Sequence, residues 1–323
     1  MTSRKFLLLI GLTVLVFAGL AAYGDFQDVV GRLAHFPVTH LAAGLALALL
    51  NYILRFGRWA YYLRVLNIRV PFGLNGLVFL SGLAMSITPG KAGELLKCYM
   101  LRDRVNVPVA ASVPVVVMER LTDVLSVVLL ALIGLALLPV QVVWVLAAAL
   151  VLPVAGFGIF ASRRGSRLLG LPFLRRWRDE ILISQEGFRR LAAPRVMAVG
   201  VILGTLAWFS EGVALWVVLQ GLDADMSLLR ALPIYAAATL VGAVTTLPGG
   251  LIGTEGSMVA LLQQSGMDKG LASGGTLLVR LITLWFAVAV GVAALALLHR
   301  FSPVRDAPEA GTEADGPALR TPH

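Results

Sequence analysis

The sequence predicts an all-α polytopic membrane protein: six full transmembrane helices plus two re-entrant or broken helix pairs, arranged as an inverted internal repeat. Three observations lead there. The 323 residues are 58% hydrophobic and 14% charged, with a mean hydropathy of +0.86, whereas a soluble domain is about 25% charged. Several apolar runs approach or exceed the ~20 residues that cross a bilayer. Two Pro-Gly breaks interrupt such runs, Pro89-Gly90 and Pro248-Gly249-Gly250, with charged residues close by.

Residues 1–23 open with Arg4 and Lys5 before an apolar stretch, as a signal peptide does. No clear small-residue cleavage site follows, so residues 6–23 read as the first span. Residues 24–39 read as a short polar loop. Residues 40–63 form the second span, where Arg55, Arg58, Trp59 and Tyr62 share one helical face and snorkelling of the arginines to the interface reads at least as well as contact with a ligand. Residues 72–88 are apolar up to Pro89-Gly90, and a short helix runs on to about residue 104. Residues 113–139 form a long span holding Glu119, Arg120 and Asp123, and residues 142–160 form another. Residues 163–195 set nine arginines against Asp179, Glu180 and Glu186 with apolar residues interspersed, the pattern of an interfacial connector. Residues 196–219 span with Glu211 inside. Residues 228–247 are apolar up to Pro248, residues 254–264 form a short helix, and residues 271–298 form the last long span. Residues 302–323 read as a disordered cytoplasmic tail. The expected division is therefore a transmembrane domain over 1–301 and a tail, with repeat one at about 40–139 and repeat two at about 196–298.

Basic loops set the orientation. They place both termini in the cytoplasm and the protein in the cytoplasmic (inner) membrane. The net charge of +9 lies mostly in segments flanking the spans. Topology and anionic lipid headgroups explain it better than nucleic acid does. The single cysteine, Cys98, excludes an intramolecular disulfide and reads as a packing residue. No HExxH, metal-spaced Cys/His cluster or Gly-x-Ser-x-Gly occurs. The glycine-rich run at 249–256 lacks the Gly-Lys-Ser/Thr ending of a phosphate loop. Neither a catalytic residue, nor a metal, nor a cofactor is expected.

The two breaks look like halves of one site. Pro89 and Pro248 stand 159 residues apart, and Arg120 and Arg280 stand 160 apart. Trp59 precedes the first break by 30 residues and Trp216 precedes the second by 32. Gly93-Glu94 follows the first break and Gly253-Thr254-Glu255 the second. With opposite starting directions, the copies are expected to be inverted, and Gly/Pro-broken helices in matching halves point to a transporter's binding site. Helix N-termini freed by the breaks would offer N–H groups to an anionic group such as a lipid phosphate, and Lys91 would reinforce one of them. A charge at the bilayer centre costs about 2.5–3.5 kcal/mol, so Glu119, Arg120, Asp123 and Glu211 belong at the same site. Arg120 is expected to pair with Glu94, and Arg280 with Glu255. The candidate substrate-binding residues are Lys91, Glu94, Glu119, Arg120, Asp123, Glu211, Thr254, Glu255 and Arg280. The backbone breaks are Pro89, Gly90, Gly93, Pro248, Gly249, Gly250 and Gly253.

On these residues the chain resembles the flippase-like transmembrane domain of lysylphosphatidylglycerol synthases. The likeness rests on Thr88-Pro89-Gly90 with Gly93-Glu94, on Glu119-Arg120 with Asp123, on Pro248-Gly249-Gly250 with Gly253 and Glu255, and on Arg280. It implies an inner-membrane protein that moves, or helps to process, a lipid with a polar headgroup. Full-length synthases carry a cytosolic catalytic domain after the spans; only about 22 residues follow Phe301 here, so lysyl transfer is not implied. The leading expectation is lipid translocation, with membrane lipids as partners. One alternative is a membrane component or partner of a glycosyltransferase or other lipid-modifying enzyme; another is a small-solute or ion-coupled transporter.

Overall fold

The computed structural model describes residues 3–88, 93–134, 178–245 and 247–301, with 140–141, 143–144, 147–148, 150–151 and 155. Every regular element among them is helical. Helix α1 (Ser3–Tyr23) turns through 105° into α2 (Phe26–Ala34). The stretch read as a polar loop thus contains a helix. Asp25 caps it by accepting from the Gln27 N–H at 3.1 Å, which satisfies one of the first turn's orphan donors. Val29 is buried, and α2 packs against α11 (Lys269–Arg280).

Helix α3 (Val38–Val65) carries a buried stripe of Gly44, Ala48, Asn51, Tyr52, Arg55, Arg58, Trp59 and Tyr62. That spacing keeps one face turned inward, against α8 (Pro194–Gly221). Asn51 donates to the Ala207 carbonyl of α8 at 2.8 Å. Helix α4 (Phe72–Leu83) tightens into a 3-10 turn over Ala84–Ile87. This turn lies against α12 (Phe286–Phe301) at Gly291, where an added Cβ would strike the Ala84 backbone. Thr88 then donates to the Met85 carbonyl at 2.6 Å and accepts from the Gly93 N–H at 2.9 Å, drawing together the two sides of the first break. Helix α5 (Leu96–Val105) follows.

Helix α6 (Val109–Leu132) contains Pro114, which cannot donate to the carbonyl four residues back. That carbonyl belongs to Ala110, and Ser184 of α7 (Arg178–Leu191) donates to it at 2.8 Å. Gly187 lets α7 approach the proline ring closely. Helix α9 (Leu228–Val244) folds back on α10 (Gly253–Gln264) through Pro248–Gly250. Gly249 (φ 64°) and Gly250 (φ 68°) are left-handed there, a conformation that costs other residues roughly 1–2 kcal/mol. Helix α11 is capped by Asp268 and passes through a π-helical turn, Leu281–Trp285, into α12. Apolar side chains of α3, α6, α8, α9, α10 and α11 form one core cluster, and those of α3, α4, α5 and α6 form a second.

The expected count of six full spans is corrected. Among the described residues three helices are long and apolar enough to cross a membrane: Val38–Val65, Pro194–Gly221 and Lys269–Phe301. The bent pair of α1 and α2 makes up to four. The others fall short for identifiable reasons. The apolar helices Phe72–Ile87 and Leu228–Val244 are too short, and α6 holds Glu119, Arg120 and Asp123 within its apolar length.

The inverted repeat is corrected as well. The helices α3 and α8 match at 28 residues each, but α4 has 12 residues and α9 has 17, and α4 packs mainly on α12 and little on α5, whereas α9 packs on α10, α6 and α8. The matching landmarks do not extend to the helices before each break. Most of the expected span at 142–160, the first half of the 163–195 connector and the 302–323 tail lie outside the described residues.

Candidate functional site

Two charged clusters are buried between these helices. The larger joins α3, α5 and α6 with the turn that carries Glu94. Asp123 is its centre: Arg58 donates to Oδ1 at 2.6 Å, the Trp208 indole donates to the same oxygen at 3.1 Å, and Arg120 and Arg55 stand 3.0 and 3.9 Å from Oδ2. Glu94 lies 3.0 Å from Arg120, 3.9 Å from Arg55 and 3.9 Å from Lys97. Lys97 donates to Glu119 at 2.7 Å, with its ammonium 4.3 Å from the centre of the Trp59 ring, close enough for a cation–π contact. Glu94 and Asp123 thus each stand between Arg55 and Arg120.

The smaller cluster joins α10, α11 and the second break. Arg280 donates to Glu255 at 2.6 Å and to the Gly249 carbonyl at 2.6 Å. One guanidinium therefore ties the left-handed turn to the helix that follows it. Glu211 of α8 accepts from the Tyr235 hydroxyl of α9 at 2.6 Å. Charges this deeply buried persist only when paired, and both clusters meet that requirement through short contacts.

Both clusters border one cavity of about 200 Å³. Arg55, Arg120, Asp123, Glu211, Thr254 and Arg280 line it together with Tyr52, Trp208 and Tyr235. The break at Gly249 and Gly250 forms part of its wall, beside Ser86 and Thr88. The Ala84–Ile87 turn touches the Pro248–Gly250 turn there. Glu94, Glu119 and Glu255 are absent from its described lining; Glu94 and Glu255 stand behind Arg120 and Arg280, and Glu119 pairs with Lys97. Polar side chains and apolar ones such as Val127, Leu240 and Ala287 share the wall, the mixed lining of a small-molecule site. No cluster of metal-ligating side chains occurs among the described residues.

The pairs Arg120–Glu94 and Arg280–Glu255 are formed. Pro89, Gly90 and Lys91 lie outside the described residues. Gly93 begins a tight turn closed by Thr88, and Gly253 opens α10. Sequence reasoning did not single out Lys97, and it left Arg55 and Arg58 open between the interface and ligand contact. Arg58 is fully buried. The signal was available: Glu94 and Lys97 are three apart on the same helical approach, and Arg55 and Arg58 share a face with Tyr52 and Tyr62.

A family model described as the lysylphosphatidylglycerol synthase TM region matches residues 7–291. A UPF0104 membrane protein of Methanothermobacter thermautotrophicus is 26% identical over 267 residues, 74% of this chain and 79% of that protein. Another UPF0104 membrane protein, of Methanocaldococcus jannaschii, is 22% identical over 226 residues, 67% of this chain and 94% of that protein. The glycosyltransferase AglD of Haloferax volcanii is 31% identical over 129 residues, 39% of this chain but 21% of that protein. The family match takes in both charged clusters and both breaks, and this multi-pass membrane chain belongs to the lysylphosphatidylglycerol synthase transmembrane-region family.

Proposed function

We propose that the protein is a lipid translocase that moves a polar-headgroup lipid across the cytoplasmic membrane. The observation that carries this reading is the shared cavity: a charged, hydrogen-bonding chamber between membrane helices, bordered by the Gly249–Gly250 turn and by Ser86 and Thr88. An ionisable cluster at membrane depth is expensive, and irregular backbone is tolerated there only where protein or a cavity covers it. A headgroup in the chamber offsets both costs, while acyl chains stay in lipid. Transport follows if the cavity opens alternately to the two sides by movement of the broken segments. Arg4 and Lys5 at the start of the first helix, and Arg300 at the end of the last with Arg305 beyond it, support cytoplasmic termini. Native mass spectrometry of lipid co-purified with wild type, Glu94→Gln and Glu255→Gln tests the reading. A headgroup lipid retained by wild type and lost from both variants supports it; equal lipid content in all three counts against it.

A second reading has one observation in its favour, the match to part of AglD. The chain would then act beside a lipid- or glycan-modifying transferase. Co-purification of such an enzyme, with no lipid movement by the chain alone, separates that reading from the first.

A further inference from the structure

We propose that Glu211 takes up and releases a proton in each transport cycle, and so couples the chamber to the proton gradient across the membrane. The inference rests on the translocase reading and names its energy source. Bonding is the first observation. Glu211 lies inside α8, is buried and lines the cavity. It accepts a 2.6 Å hydrogen bond from a phenol, that of Tyr235. The other four carboxylates of the two clusters each meet a cationic nitrogen at 3.0 Å or less: Glu94 that of Arg120, Glu119 that of Lys97, Asp123 those of Arg58 and Arg120, and Glu255 that of Arg280. Ammonium and guanidinium groups only donate, whereas a hydroxyl donates or accepts. The Glu211–Tyr235 bond can therefore reverse when the carboxyl is protonated, the acid O–H donating to the phenolic oxygen. That reversal lets Glu211 change charge without orphaning a buried polar group.

Charge is the second observation. Among the described residues the two clusters and the cavity wall hold five cations, Arg55, Arg58, Lys97, Arg120 and Arg280, and five carboxylates, Glu94, Glu119, Asp123, Glu211 and Glu255. They balance while Glu211 is ionised, and its protonation makes the chamber one charge more positive. Arg55 responds to that change. It stands 3.9 Å from both Glu94 and Asp123, its buried Nε makes no hydrogen bond among the described residues, and the charge of Glu211 acts on it as well. An ionised Glu211 draws Arg55 toward α8; a protonated one leaves it to Glu94 and Asp123. Proton occupancy thus selects the partners of a cation that lines the cavity.

The titratable and charged groups facing Glu211 come from the helices packed on α8: Tyr52 and Arg55 of α3, Arg120 and Asp123 of α6, Tyr235 of α9 and Arg280 of α11. Helix α7 also touches α8, and its buried residues are Gly187, Phe188 and Leu191. Intramembrane carboxyls of this kind serve as proton relays in pumps and transporters. Each proton is taken from water on the side to which the cavity is open and released to water on the other.

Two measurements on the full-length protein test the proposal. In detergent, infrared difference spectra across a pH titration report the C=O band of a protonated carboxyl. Wild type is expected to show a titrating band that Glu211→Gln abolishes and that Tyr235→Phe shifts, since the second variant keeps the carboxyl and removes its hydroxyl partner. No titrating band in wild type, or one unchanged in both variants, overturns the proposal. In proteoliposomes, acyl-labelled phosphatidylglycerol and monoglucosyl diacylglycerol are the probes, with the membrane potential clamped by potassium and valinomycin. An imposed pH gradient is expected to change the rate of wild-type movement of at least one probe five-fold or more relative to the same vesicles with a protonophore. Glu211→Gln is expected to lose that response and Glu211→Asp to keep part of it. Wild-type movement that ignores the gradient overturns the coupling and leaves the translocase reading standing, as does a full response in Glu211→Gln. No movement under either condition, with the infrared band assigned to Glu211, overturns the translocase reading and leaves the proton site standing.

Discussion

Asp123 receives Arg58 and Trp208 on one oxygen and Arg120 and Arg55 on the other, so its loss uncovers several cations at once. Removing one partner of a buried ion pair costs about 3–5 kcal/mol. Asp123→Asn is expected to fall in that range by chemical unfolding in detergent, with Arg120→Gln costing less because Arg120 is partly exposed. Much of this cluster was legible as residues. Glu94, Glu119, Arg120 and Asp123 stand out because charges are rare in apolar runs. Lys97, three residues from Glu94, and the Arg55–Arg58 pair carried a signal too, but spacing alone does not distinguish a cation near a helix end that reaches water from one that turns inward. The decision lies in partners far along the chain: Glu119 is 22 residues from Lys97, and Asp123 is 65 from Arg58.

Breaks and their supports belong to the scale of elements. Proline and glycine pairs mark where helices stop, so both breaks were readable. How each is held was not, because Arg280 reaches the Gly249 carbonyl across 31 residues. Gly249→Ala is expected to destabilise by about 1–2 kcal/mol, since φ is 64° there, and to weaken lipid binding alongside; unchanged stability and binding would mean the turn relaxes freely. Ser184 is a quieter support. It caps the carbonyl orphaned by Pro114, and Ser184→Ala is expected to cost ~1 kcal/mol and to loosen α7 from α6, read as faster hydrogen exchange over residues 178–191. Neither partner suggests the other in the sequence, because a proline's orphaned carbonyl can be satisfied from any direction.

At the scale of the molecule, composition settles that the chain is a helical membrane protein, and patterning alone overcounts its spans. Hydropathy treats a run as one rod, whereas α1 bends through 105° into α2 and the helices before each break end short. Local likeness between the breaks suggested a duplicated architecture, yet α4 and α9 pack on unlike neighbours. The Gly249–Gly250 turn does share a cavity with Ser86 and Thr88. Arg55 and Arg120 reach it from α3 and α6, Arg280 from α11, and Glu211 from α8, so headgroup chemistry is assembled from helices across the fold. The most direct test is lipid movement in proteoliposomes carrying acyl-labelled phospholipids and glycolipids, with the outer leaflet quenched chemically. Wild type is expected to expose inner-leaflet label for at least one headgroup class, and Arg280→Gln to slow this at least ten-fold while the protein stays folded. If wild type leaves the inner leaflet protected for every class, the account of this protein as a lipid translocase is wrong.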